Sequence, residues 1–309
     1  MESKTKPEYG DVLWGNDVDS LTGYLSSDKK VPDNQKKLVK DFYENGFVKL
    51  EGMIPSEDCD KAIKSFDKWV VNNLDKMPKK LRRNIELPRV INIHSEVEEF
   101  RDIISKNKEL TNFVSYLLGY QMSVYTSLTF KYGTEQPLHI DTPVFRTAPE
   151  DFYFGVWIAL EDSTTENGCL RALKGGHAVE RVDPYDFFES QEINAVDIPP
   201  SARGLWAPYQ DQTVAKCKKH GCEEVLIPAK KGDVVIWHPQ LPHGGSAIKQ
   251  ENKTRYSAVY HVVPQGTPVY QADVFFNKDR RFETATSLRK YKMHNEIEFM
   301  NTEAKLGLN

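Results

Sequence analysis

Gln121-Met122-Ser123-Val124-Tyr125-Thr126-Ser127-Leu128-Thr129-Phe130-Lys131-Tyr132 is the stretch whose reading decides the fold class. Successive side chains of an extended chain point to opposite faces. On that rule Met122, Val124, Leu128, Phe130 and Tyr132 share one face, and Ser123, Tyr125, Ser127, Thr129 and Lys131 share the other. The alternation predicts a long strand with one apolar face and a second face that is half-buried or turned to a polar cavity.

Upstream of it the period is helical. Leu38 and Phe42 predict a short helix over Asn34 to Asn45, stopped by Gly46 and followed by a strand at Phe47-Val48-Lys49-Leu50. Cys59, Ala62, Ile63, Phe66, Trp69 and Val70 form an apolar stripe on a helix that Ser56 is placed to cap. Phe100, Ile103, Ile104, Leu110, Phe113, Val114, Leu117 and Leu118 predict a helix pair between Glu96 and Leu118, with Gly119 as its stop. These helices are expected to cover one side of a sheet. Residues 1–32 are polar and read as an irregular arm pinned to the body by Trp14, Leu21 and Tyr24, leaving 33–309 as a single domain.

Downstream come short strands with turn residues between them: Phe152 to Leu160, Cys169 to Leu173, Glu224 to Pro228, Asp233 to Trp237 and Arg255 to Val263. That rhythm argues for a mainly β sandwich or barrel with flanking helices, its core over about 120–263. No Gly-rich phosphate loop precedes a helix, which disfavours a nucleotide enzyme. Residues 174–223 form a long excursion of the kind that serves as an active-site wall or lid. In the extension 264–309, a strand is expected at Val269 to Phe276 and a helix near Thr284 to Met293.

Just after the deciding strand stands His139-Ile140-Asp141. If extended, it presents an imidazole and a carboxylate on one face. His243, in Leu241-Pro242-His243-Gly244-Gly245, is the candidate third ligand. Two histidines and one carboxylate make the facial set that holds non-haem Fe(II) and leaves positions open for a chelating cosubstrate and O2. Arg255 lies twelve residues beyond His243, and Ser257 shares its strand face. An arginine fork and a hydroxyl there suit the distal carboxylate of a 2-oxo acid.

The 309 residues include 41 basic and 45 acidic side chains, net −4, which gives no global attraction to nucleic acid or an anionic membrane. A local cluster, Lys76, Lys79, Lys80, Arg82 and Arg83, reads as a solvated linker. No apolar run approaches the ~20 residues of a membrane span. Four scattered cysteines do not form a disulfide framework, and Cys217 with His220 and Cys222 supplies too few ligands for a zinc knuckle. A cytoplasmic, monomeric enzyme acting on a small molecule, with no nucleic-acid or membrane partner, is the expectation.

The chain resembles the phytanoyl-CoA dioxygenase family of Fe(II)/2-oxoglutarate-dependent oxygenases over roughly residues 38–263. The likeness runs in order through Phe42-Tyr43-Glu44-Asn45-Gly46-Phe47-Val48, His139-Ile140-Asp141, Trp157-Ile158-Ala159-Leu160, Glu166-Asn167-Gly168-Cys169-Leu170, Gly176-His177, Gly232-Asp233-Val234-Val235, His243-Gly244-Gly245 and Arg255. It implies a double-stranded β-helix (jelly-roll, cupin-like) core. It implies His139, Asp141 and His243 as iron ligands, Arg255 on the distal carboxylate of 2-oxoglutarate, and Trp157 near the cosubstrate. Where the family has a Pro-Gly-Ser-His run, this chain has Lys174-Gly175-Gly176-His177. Related halogenases replace the carboxylate of the triad with a small residue, so Asp141 argues against halogenation. The implied reaction consumes 2-oxoglutarate and O2, releases succinate and CO2, and oxidises an unactivated C–H bond by hydroxylation, desaturation or cyclisation, the last two fitting natural-product biosynthesis.

For the substrate, Tyr125, Thr129 and Lys131 are read as cavity-lining, with Arg146, Arg171, Lys174 and His177 near its mouth. These cations suit a carboxylated metabolite. A cupin-like enzyme using another metal, or a non-catalytic binding module, remains an alternative on the residues alone.

Overall fold

The structure is a computed structural model and describes residues 32–76, 89–142, 144–191, 203–270 and 290–306. The expected arm, most of the basic cluster and the stretch 271–289 lie outside the described residues.

Helices α1 (Asp33–Asn45), α2 (Ser56–Asn72), α3 (Glu99–Ser105) and α4 (Lys108–Leu118) precede most of the sheet. Their stripes pack as the spacing predicts: Phe42, Cys59, Phe66, Phe100, Phe113 and Leu117 join one buried cluster. Gly46 and Gly119 end α1 and α4 in the left-handed conformation, where a side chain would be strained. The cap on α2 differs from expectation. Ser56 is the first helical residue, and Pro55 stands at the cap position without a side-chain hydrogen bond. Proline fixes the entry angle there and leaves Ser56 inside the helix. In α4 the cap bond exists: Asn107 Oδ1 accepts from Leu110 N at 3.0 Å.

The strands are β1 (Phe47–Leu50), β2 (Val90–Ile91), β3 (Met122–Phe130), β4 (Arg146–Thr147), β5 (Phe154–Ala159), β6 (Leu170–Leu173), β7 (Glu224–Ile227), β8 (Val234–Trp237), β9 (His243–Gly245), β10 (Ser257–Pro264), β11 (Val269–Tyr270), β12 (Tyr291–His294), β13 (Ile297–Met300) and β14 (Lys305–Leu306). Nine of them form a large sheet in the order β1-β8-β5-β10-β3-β13-β12, with β2 beside β3 and β14 beside β2. A smaller sheet, β7-β6-β9, faces it. The two enclose a second apolar cluster that includes Trp157, Ala159 and Val259 from the large sheet and Leu170 and Ala172 from the small one. This is the jelly-roll arrangement. Central strands are buried on both faces, so Val156, Ile158, Ala258 and Tyr260 meet the helices while Trp157, Val259 and His261 look inward.

The deciding strand departs from simple alternation. The β10–β3 register shifts between His261, opposite Thr126, and Val262, opposite Val124, so Tyr125 is an extra residue. A bulge of this kind turns the chain over. Met122 and Val124 therefore pack toward the helices, whereas Leu128 and Phe130 pack inside the roll. The expectation of one shared face for all four is corrected by that inserted residue.

The tail needs a second correction. Residues 291–293, expected to be helical, lie in β12, which forms a hairpin with β13 across Asn295-Glu296. Both turn residues have positive φ, 46° and 69°. Tight hairpins demand this, and Asn-Gly is its usual signature. With Glu in the second place the signal was missing.

Candidate active site

His139 and His243 face each other across an isolated antiparallel bridge. The amide of His139 donates to the carbonyl of His243, and that of His243 to the carbonyl of His139, both at 2.9 Å. Such a doubly bonded pair places the two side chains side by side, and the imidazole centroids are 4.6 Å apart. Asp141, two residues on, shares the face. One ligand-type atom from each of His139, Asp141 and His243 lies within 4.8 Å of the others, and all three residues are buried. No comparable group forms around Cys217 and Cys222 among the described residues.

Each ligand is held. His139 Nδ1 bonds the carbonyl of Pro137, and His243 Nδ1 that of Leu241, both at 2.9 Å. A carbonyl only accepts, so each Nδ1 carries the proton and each Nε2 offers a lone pair to the site. Burial holds His139 neutral, its pKa pushed down to about 4, with the charges of His243 and Arg89 acting in the same direction. Burial also lowers His243. Burial opposes charge on Asp141, but the imidazoles of His243 and His261 outweigh it and keep the carboxyl below the usual range. Neutral imidazoles beside a carboxylate are the protonation states a divalent cation needs.

Three side chains that sequence reading passed over orient this set. Trp237 Nε1 donates to Asp141 Oδ2 at 2.7 Å, and His261 Nε2 lies 3.3 Å from the same oxygen. Oδ1 is left toward His243 Nε2, at 3.8 Å. Trp237 can lie flat across the sheet because its partner on β5 is Gly155, where a Cβ would come within 2.2 Å of the indole. The third is Gln210. In the helix α6 (Arg203–Lys219), which follows a shorter one, α5 (Pro184–Ser190), its Oε1 accepts from Ile140 N at 2.8 Å and its Nε2 donates to Ile140 O at 2.9 Å. Ile140 lies between His139, whose backbone pairs with His243 in β9, and Asp141, whose amide donates to Pro239 O at 3.0 Å. The primary amide of Gln210 takes the place of a neighbouring strand on its other side. Trp206, one turn earlier on the same helix, has its ring 5.6 Å from that of His139.

Arg255, Ser257 and Trp157 lie together, with Arg255 and Trp157 in the cavity wall. Arg255 is 3% exposed. Its Nη1 donates to Gly168 O at 2.8 Å, its Nη2 lies 3.5 Å from Ser257 Oγ, and its guanidinium sits 5.8 Å from the Trp157 ring centroid. Burial lowers its pKa to about 10, and its Nε has no hydrogen-bond partner. A buried cation without a carboxylate is costly unless an anion arrives. The group therefore fits the distal carboxylate of 2-oxoglutarate, as the triad fits iron.

The shared cavity is about 600 Å³ and is lined by His139, Asp141, His243, Arg255, Trp157, Trp206 and Arg89, with Thr126, Thr134, Gln136 and His261 among otherwise apolar side chains. Of the residues expected on the substrate side, Lys131, His177, Tyr125 and Arg171 do not line this cavity. Lys131 Nζ lies 3.2 Å from Asp67 and over the Tyr256 ring, because beyond the bulge it points to the helix face. His177 bonds Tyr43 O at 2.8 Å and stacks near His238, 5.3 Å between centroids. Tyr125, the extra residue, packs with Tyr153, Val263 and Val269. Arg171 bonds Gly245 O and Glu224. Arg146 lies in β4, and its side chain is outside the described residues. Arg89 sits in no recognisable motif and was missed.

The sequence model of the phytanoyl-CoA dioxygenase family matches residues 42–255, about two thirds of the chain. The chain belongs to the phytanoyl-CoA dioxygenase family. Human peroxisomal phytanoyl-CoA dioxygenase is 24% identical over 237 residues, covering 70% of this chain and 63% of the human one. Among solved structures, EctD from S. alaskensis with 2-oxoglutarate and 5-hydroxyectoine superposes with a TM-score of 0.62 at 15% identity, covering 89% of each chain. The α-ketoglutarate-dependent carbocyclase SnoK from nogalamycin biosynthesis does so with 0.59 at 16%, covering 82% of this chain and 93% of its own. The family and these neighbours are Fe(II)/2-oxoglutarate-dependent oxygenases, and the chain is an enzyme of that type. No helix among the described residues is long and apolar enough to cross a membrane.

Proposed function

We propose that the enzyme oxidises an unactivated C–H bond of a small carboxylated metabolite, with 2-oxoglutarate and O2 consumed and succinate and CO2 released. One observation carries this reading: the buried His139–Asp141–His243 set opens onto the same cavity as a buried guanidinium that has no carboxylate partner among the described residues. His139, Asp141 and His243 hold the iron, and Arg255 with Ser257 holds the distal carboxylate of the cosubstrate. Iron and 2-oxoglutarate supply oxygen activation when bound. The chain supplies the rest. Trp237 and His261 fix the carboxylate of Asp141, Gln210 fixes the strand that carries it, and the aromatic and aliphatic lining keeps bulk water from the reacting centre.

Anaerobic addition of Fe(II) and 2-oxoglutarate is expected to give the weak visible charge-transfer band of the chelate. No band in the wild type, or an undiminished band in His139→Ala, overturns the assignment. A screen of small carboxylated metabolites for substrate-dependent succinate release, with product mass read out, separates the outcomes. A gain of one oxygen means hydroxylation, and a loss of two hydrogens means desaturation or cyclisation.

A further inference from the structure

Helix α6 ends in a turn that brings two cysteines together. The amide of Cys222 donates to the carbonyl of Cys217 at 3.1 Å, and that of Gly221 to the carbonyl of Lys218 at 3.0 Å. Gly221 is left-handed, with φ of 82°. These two bonds with a left-handed glycine are the Schellman closure of a helix, which sets the side chains of its first and sixth residues against each other. An apolar pair usually makes that contact. Here the pair is Cys217 and Cys222, both free thiols, near enough that each alters the other's ionisation. They share one apolar cluster with Leu138 and Leu173. Cys217 is buried, and its Sγ donates to the carbonyl of Gly176 at 3.6 Å. Cys222 is only half-buried, which leaves it open to a reagent.

The place of this pair in the fold ties it to the metal ligands. Trp206, Gln210 and Cys217 stand at i, i+4 and i+11 on α6, so they share one helix face. That face runs along the segment that carries His139 and Asp141. Cys217 packs in the cluster of Leu138, Trp206 stands beside His139, and Gln210 bonds both backbone groups of Ile140. A constraint on the end of α6 therefore acts on the element that supports two of the three ligands.

We propose that Cys217 and Cys222 are a modification site: a dithiol that closes to a disulfide by exchange with a small-molecule disulfide, and so pins the face of α6 that supports the ligand segment. The Cys222 thiolate attacks the oxidant RSSR, forming a mixed disulfide and expelling RS−. The Cys217 thiolate then attacks the Cys222 sulfur, forming the intramolecular bond and expelling the second RS−. The two protein thiols lose two electrons and two protons, and the oxidant leaves as two RSH. Burial raises both thiols, Cys217 to about 11, so little thiolate is present at neutral pH and the exchange is slow. The disulfide stands apart from the oxygenase reading; only its effect on iron rests on that reading.

The full chain is equilibrated with glutathione at ratios from fully reduced to fully oxidised, alkylated, and digested with trypsin, which cuts at Lys218 and Lys219 between the two cysteines. A disulfide-linked pair of peptides is expected, one holding Cys217 and the other running from His220 to Lys230, lighter by two hydrogens than the free pair. The oxidised chain is expected to melt about 2 °C or more above the reduced one. It is also expected to release Fe(II) to a chelating dye about twofold or more slowly. Cys222→Ser, at a half-buried position, is expected to show neither change in the oxidising buffer. Both thiols still free in the most oxidising buffer, or glutathione retained on Cys222 as a stable mixed disulfide, overturns the site. A linked pair that fails to raise the melting temperature or to slow Fe(II) release overturns the pinning of α6, as do the same shifts in Cys222→Ser. If neither redox state binds Fe(II), the oxygenase reading fails, while the peptide link and the melting shift still decide the dithiol.

Discussion

Two guanidinium groups face one cavity, and the fold treats them differently. Arg255 is 3% exposed, anchored by the carbonyl of Gly168 and backed by the indole of Trp157. Arg89 immediately precedes a two-residue strand and is only half-buried. The first is a fixed fork whose position is set before any ligand arrives. The second has no hydrogen bond to its guanidinium among the described residues, and its Nε is buried without a partner. A rigid site suits a partner that is the same in every turnover.

The sharpest way to break this contrast is at Arg255. Arg255→Met is expected to weaken 2-oxoglutarate binding at least a hundredfold, about 3 kcal/mol, since truncating one member of a buried charge pair costs about 2–5 kcal/mol. The ligand-free variant should melt no lower than the wild type, because a desolvated, unpaired cation has been removed. A variant that keeps its cosubstrate affinity and unfolds early would show Arg255 to be a structural cation.

Gln210 tests the frame that both ends of the cavity share. Gln210→Leu leaves the amide and carbonyl of Ile140 without partners in the interior, at about 1–3 kcal/mol for each group. A drop in Tm and weaker Fe(II) affinity are expected together, measured by thermal melts with and without metal. A variant with unchanged metal affinity would mean that His139 and Asp141 need no support from α6.

Trp237→Phe removes one bond to the ionised Asp141 and keeps the ring. About 2 kcal/mol, read as a ten- to hundredfold loss in Fe(II) affinity, is expected. Competition with a chelating dye would measure it. Affinity within twofold of wild type would assign the orientation of Asp141 to His261 instead.

The smallest effect lies outside the cavity and serves as a control for it. Burial pushes the pKa of His94 down to about 4 from 6.5, while its ring bonds Ser127 Oγ and the carbonyl of Met300. The unfolded chain takes up a proton in that window and the folded chain does not. This histidine's contribution to stability is therefore intact above pH 6.5, falls as the pH drops toward 4, and is level below that. At pH 5 the loss is on the order of 2 kcal/mol. His94→Gln should flatten the decline of Tm between pH 6.5 and 4 without altering cosubstrate binding; a slope equal to wild type would show that other groups set the acid sensitivity.

Much of this was legible in the chain. The helical stripes read directly because each buried side chain repeats within its own helix. His139 and Asp141 read because alternation makes them co-facial, and Arg255 with Ser257 read for the same reason. Continuing that alternation through Val259 reaches His261, a signal present in the sequence and not followed. Trp237 gave none, since its role depends on Gly155 in a different strand, and a glycine opposite an indole is visible only once register is known. Gln210 acts across 70 residues on a backbone that single-segment patterns cannot pair with it. Lys131, Arg171 and His177 have their partners away from the cavity, because spacing does not tell a cation facing a neighbouring element from one facing a cavity.

Tyr125 has one more consequence. A strand is a two-letter reading frame, and the extra residue shifts that frame midway, so Met122 and Val124 are read by the helices while Thr126, Leu128 and Phe130 are read by the active site. Deleting Tyr125 itself would make Val124 and Thr126 neighbours, which ordinary alternation already sends to opposite faces, whereas deleting a residue on either side while the bulge stays would present that side's residues to the wrong compartment. Substitutions along this segment can tune the cavity one side chain at a time. Changes in its length away from the bulge cannot, because they exchange the interior of the roll with the core beneath the helices.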